Sequence, residues 1–84
     1  MDVRVEVTLD CKPKSNHREQ MYNSAYSLTN DTNSIVISQH DKDSKILVAE
    51  FTMKKAKQID VVDMIGKEFS VYMEDYNDSS IYFP

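Results

Sequence analysis

Arg18-Glu19-Gln20-Met21-Tyr22-Asn23-Ser24-Ala25-Tyr26-Ser27-Leu28-Thr29 is the stretch that decides the topology. Tyr22, Ser24, Tyr26 and Leu28 alternate as a half-buried strand would, while Met21, Ala25 and Leu28 recur at helical spacing. Asn23, Ser24, Ser27 and Thr29 are weak helix formers. The Asn30-Asp31-Thr32-Asn33 cluster that follows is a turn signal, and Ser34-Ile35-Val36-Ile37-Ser38 reads as a strand. A hairpin across 22–39 is the simpler reading. The helical alternative changes the order of the whole chain.

The flanking segments are clearer. Val3, Val5, Val7, Leu9 and Cys11 alternate with Asp2, Arg4, Glu6, Thr8 and Asp10, the pattern of a strand with one dry and one wet face. Cys11 falls on the dry side as a small core residue. Residues 12–20 carry no apolar side chain except Pro13 and read as an exposed loop. His40-Asp41-Lys42-Asp43-Ser44 is a polar turn ahead of a central strand, Lys45 to Met53. Leu47, Ala49, Phe51 and Met53 take one face of that strand; Ile46, Val48 and Glu50 take the other.

A helix follows, on the spacing of Ile59, Val62, Ile65, Phe69, Tyr72 or Met73, and Tyr76. Asp60 suits its N-cap and Asp63 the third helical position, with Ile59 and Met64 as a hydrophobic staple. Starting at Asp60 keeps Lys54, Lys55 and Lys57 out of the first turn, where the helix dipole disfavours cations. Glu74 and Asp75 would oppose the dipole at the other end. Gly66, mid-helix, suggests close approach of the backbone to a neighbour. Asn77-Asp78-Ser79-Ser80 ends the helix, and Ile81-Tyr82-Phe83-Pro84 is an apolar tail that docks on the sheet, pairs as a short edge strand, or meets a partner.

The chain therefore reads as one α+β domain over residues 1–84. Two architectures remain: a four-stranded antiparallel sheet with a C-terminal helix on one face (β-β-β-β-α), and the ferredoxin-like order β-α-β-β-α-β, with 18–29 as a helix.

Composition narrows the function. In 84 residues, one cysteine excludes an internal disulfide, and one glycine excludes a Gly-rich phosphate loop. The longest apolar run, Ile46 to Ala49, is far short of a membrane span, and the N-terminus has no signal-peptide pattern. A cytoplasmic protein without membrane association is expected. Cys11, His17 and His40 are the thiol and imidazole residues; they read as unrelated, with both histidines in polar loops. His40, Asp41 and Asp43 read as turn formers rather than metal ligands. No enzymatic activity, catalytic residue, cofactor or metal is expected.

Ten Lys+Arg against 14 Asp+Glu give a net charge of -4. That balance argues against nucleic acid, whose binders concentrate basic residues. The expectation is a small non-catalytic binding protein (a regulator, inhibitor or accessory subunit) that docks on another protein or on a second copy of itself. Its candidate contact residues are Tyr22, Tyr26, Tyr72, Tyr76, Tyr82 and Phe83, rimmed by Glu74, Asp75 and Asp78. Two alternatives stand beside it. One is an acidic immunity- or antitoxin-type inhibitor of a basic nuclease. The other is a single-stranded nucleic-acid binder that stacks bases on strand tyrosines between Lys12, Lys14, Arg18, Lys54, Lys55 and Lys57.

Overall fold

A computed structural model describes residues 1–54 and 58–84; the side chains of Gln58 and Ile59 are outside the description. The described elements run β1 (Asp2–Leu9), α1 (Ser15–Leu28), a 3-10 turn (Thr32–Ser34), β2 (Val36–Gln39), β3 (Ile46–Thr52), α2 (Gln58–Tyr72) and β4 (Tyr76–Tyr82). The fold is mixed α+β with a four-stranded antiparallel sheet and two helices. The sheet order is β2-β3-β1-β4. A helix lies between the first two strands, so the β-β-β-β-α order is corrected to β-α-β-β-α-β.

The hairpin reading fails because burial outweighs local propensity. His17, Met21, Ser24 and Ala25 form one buried stripe along α1, and Leu28 packs against the core beyond them. Asn23, Ser24 and Ser27, the weak formers that fall inside the helix, cost roughly 1.5 kcal/mol relative to alanine. Burying Met21 alone returns about 2 kcal/mol. Residues 15–20, expected as loop, form the first turns of this helix.

β1 follows its alternation as far as Leu9, with Val3, Val5, Val7 and Leu9 all buried. It stops there rather than at Cys11: the amide of Asp10 donates to the carbonyl of Asp75, outside the strand ladder. Both helices cover the face formed by Val3, Val5, Val7, Leu9, Leu47, Ala49 and Phe51. On the opposite face Arg4 pairs with Glu6 at 3.2 Å and Glu50 at 3.4 Å. Val48 is buried on this polar face too, with Glu6 and Ser38 as cross-strand neighbours.

Among the described residues α2 runs Gln58–Tyr72, so Asp60 lies inside the helix rather than at its N-cap. The Ile59–Met64 staple and the positions of Lys55 and Lys57 lie outside the described side chains. The buried stripe is Val61, Ile65, Phe69 and Met73, which corrects the expected phase: Val62 and Tyr72 are exposed. The helix ends at Tyr72, so Glu74 and Asp75 occupy a turn beyond it. Asp75 has φ 61, a left-handed conformation that aspartate tolerates better than most residues, and it redirects the chain into β4. Residues 77–80, expected to terminate the helix, are the middle of β4, which is longer than the anticipated tail strand. Gly66 does not mark a close approach: a Cβ there would meet nothing within 4 Å.

Candidate functional site

The expected contact residues do not form one surface. Tyr22 and Tyr26 stand on the exposed side of α1 with ring centroids 6.3 Å apart. They are helical, which removes the strand platform on which base stacking rested. Tyr76 and Phe83 are partly buried and pack against the core. The Tyr76 hydroxyl lies 3.1 Å from Ser79 Oγ. Tyr82 pairs in register with Arg4, and Asp78 with Thr8, on the outer side of β1. Glu74 and Asp75 sit in the α2–β4 turn, and Tyr72 closes α2 next to them.

Around Tyr72 the sequence leaves an unexpected surface. Met64, Val71 and Tyr72 are exposed, Val71 at 68% and Tyr72 at 52%. With Glu68 they fall at positions i, i+4, i+7 and i+8, one side of a helix. So α2 carries a second apolar stripe beside the buried one. The usual single stripe of a surface helix would be satisfied by Val61, Ile65, Phe69 and Met73 alone. The part of the chain that carries this stripe is acidic. Residues 58–84 hold six acidic residues (Asp60, Asp63, Glu68, Glu74, Asp75, Asp78) and one basic one (Lys67), a balance of -5, while the remaining residues balance at +1.

The seam between the helices beside this stripe is polar. Ser27 Oγ donates to Glu68 Oε1 at 2.9 Å, and Ser24 Oγ donates back to the Gln20 carbonyl at 3.0 Å. A recess of about 170 Å³ opens there, lined by Asn23, Ser24, Ser27, Glu68 and Tyr72. The α1 residues of the wall are small, so the aromatic edge of Tyr72 is left uncovered on that side.

A second cluster joins residues that the sequence kept apart. His17 is not in a loop: it is 1% exposed at the start of α1. Its Nδ1 accepts the amide N–H of the N-cap residue, Lys14, at 3.0 Å. That is the part a Glu or Gln usually takes three residues into a helix. The Lys14 side chain, a donor only, cannot cap an amide itself. With Nδ1 accepting, a neutral ring carries its proton on Nε2, which donates to Asp75 Oδ2 at 3.2 Å. Cys11 is half-buried, not a core residue, and its thiol lies 3.7 Å from the same oxygen. Among the described residues, Cys11, His17 and Asp75 are the group whose donor atoms lie close enough to share a metal ion, all within 4.8 Å of one another.

His17 does not face the Cys11 thiol as a general base: the thiol is directed at Asp75 Oδ2. A general base must offer a lone pair to the thiol, and the two ring nitrogens of His17 are committed to Lys14 and Asp75. In the 40–45 turn, His40 Nδ1 accepts the amides of Lys42 and Asp43, and Asp43 Oδ1 accepts from Lys45. These contacts bear out the reading of that segment as a turn.

Lys12, Lys14 and Arg18 are exposed near the start of α1, and Lys54 is exposed after β3. Among the described residues, no helix is long and apolar enough to cross a membrane. Comparisons with protein-family models, with curated proteins and with solved structures find no match for this chain.

Proposed function

We propose that the chain is a non-catalytic binding protein that docks on another protein through the outer side of α2. The observation that carries this reading is the exposure of Met64, Val71 and Tyr72 along one side of α2, in the acidic part of the chain. A second apolar stripe costs solubility unless something covers it. Protein interfaces combine such apolar centres, rich in tyrosine and methionine, with a polar rim. The acidic balance of residues 58–84 favours a partner with a basic surface, since complementary charge accelerates encounter and excludes wrong partners. An inhibitor of a basic nuclease is the most specific form of this reading, supported by charge and chain size.

Affinity capture with the full chain tests it. The chain is expected to retain a protein at about 50 mM salt and to release it near 500 mM, where the screening length falls to about 4 Å. A Val71→Asp/Tyr72→Asp variant with an unchanged circular-dichroism spectrum is expected to retain nothing. Undiminished capture by that variant refutes the docking face. Capture of nucleic acid instead of protein would move the site to Arg18, Tyr22 and Tyr26 on α1.

A further inference from the structure

We propose that Cys11, His17 and Asp75 form a binding site for one divalent transition-metal ion of the zinc class, separate from the α2 docking face. The donors are a thiol, an imidazole and a carboxylate, the set that suits zinc. Their spacing already approaches that of a tetrahedral shell. With metal–sulfur bonds of about 2.3 Å and metal–nitrogen or –oxygen bonds of about 2.0–2.1 Å, tetrahedral edges are about 3.6 Å for sulfur to oxygen and about 3.3 Å for nitrogen to oxygen. The corresponding distances here are 3.7 Å and 3.2 Å. The cysteine–histidine edge is within 4.8 Å and must close to about 3.6 Å. Cys11 lies beyond the end of β1, in the connection to α1, where such a movement breaks no strand pairing.

Charge and access fit as well. A thiolate and a carboxylate neutralise a divalent cation, and the imidazole adds no charge. The Asp75 side chain is 46% exposed, which gives the ion an entry path and leaves a fourth position to water. The ligands come from the β1–α1 connection, the first turn of α1 and the α2–β4 turn, so the ion would tie three segments together.

Binding has a defined proton balance. The thiol of Cys11 releases its proton to solvent as sulfur takes the metal. The metal replaces the proton on His17 Nε2, and a neutral ring must then carry a proton on Nδ1. Ligating histidines ordinarily donate from that second nitrogen. Here Nδ1 faces the Lys14 amide, itself a donor. Metal loading therefore breaks the Lys14–His17 bond and exposes the first turn of α1. The site couples ion binding to the helix cap, and the Lys14 amide reports on it.

Cobalt(II) titration of the full reduced chain tests the proposal. One equivalent is expected to give tetrahedral ligand-field bands and a thiolate-to-metal charge-transfer band, and zinc is expected to displace it. Nitrogen-15 NMR is expected to show His17 switching from the Nε2–H to the Nδ1–H tautomer while Lys14 loses amide protection. Cys11→Ala removes the charge-transfer band, and Asp75→Asn weakens binding at least about tenfold. His17→Gln keeps an acceptor for Lys14 and is expected to abolish the tautomer-linked response. If His17→Gln fails to fold, the Cys11→Ala comparison still decides. No cobalt spectrum at millimolar metal overturns the proposal, as does binding that Cys11→Ala leaves unchanged.

Discussion

Replacing His17 by alanine is expected to destabilise the chain by about 3 kcal/mol. Three losses make up that figure. Removing a ring that is 1% exposed leaves a space that the first turn of α1 fills only in part, worth about 1–2 kcal/mol. The Lys14 amide loses its acceptor at 3.0 Å, worth about 1 kcal/mol. The bond to Asp75 contributes at most about 1 kcal/mol, because the carboxylate is half exposed. At about 2.1 cal/mol/K per residue, 84 residues have an unfolding entropy of about 0.18 kcal/mol/K. The midpoint is then expected to fall by about 17 °C, measured by thermal unfolding at neutral pH with a chelator present. His17→Gln provides the internal control. Glutamine is the ordinary capping-box residue at this position, so it is expected to recover about 1 kcal/mol relative to alanine and to keep the Lys14 amide protected from exchange. A loss below about 1 kcal/mol in His17→Ala, or no difference between the two variants, would refute the capping role.

Further outcomes follow from the same geometry. Gly66→Ala is expected to stabilise the chain by up to about 1 kcal/mol, a midpoint rise of about 5 °C, since the added methyl has open space and glycine is a poor helix former; a fall would show that the α2 backbone is more closely covered. Ser34→Ala is expected to cost about 1–2 kcal/mol. Ser34 Oγ accepts the Thr52 amide at 3.0 Å and donates to the Asp31 carbonyl at 2.6 Å, so hydrogen exchange at Thr52 is the direct readout. Val71→Asp/Tyr72→Asp, at exposed positions in the last turn of α2, is expected to cost no more than about 2 kcal/mol, from two carboxylates at the negative end of the helix dipole. A large loss in urea unfolding would place these residues in the core instead of on a docking face.

Sequence alone determined the elements whose local pattern and tertiary environment agree. The alternation of Val3, Val5, Val7 and Leu9 specifies β1 with its dry side, and the Ile46–Met53 run specifies the shielded β3. The recurrence of Val62, Ile65, Phe69 and Tyr72 or Met73 specifies a helix, while packing sets its buried phase on Val61, Ile65, Phe69 and Met73. Tertiary structure decided the remainder. The stripe of α1 includes His17 and Ser24, polar residues that become buried only because Lys14, Asp75 and the Gln20 carbonyl satisfy them. Without those partners, 15–28 reads as loop and hairpin. Asp75 and Tyr76 read as the end of a helix because neither the left-handed turn nor the free edge of β1 can be seen in a local window. Cys11, His17 and Asp75 are up to 64 residues apart and meet only because β1, α1 and β4 converge at one end of the sheet. Local propensity acts over a few residues and about 1 kcal/mol at a time. Burial and pairing between distant segments are larger, and they set which of two nearly balanced local states the chain adopts.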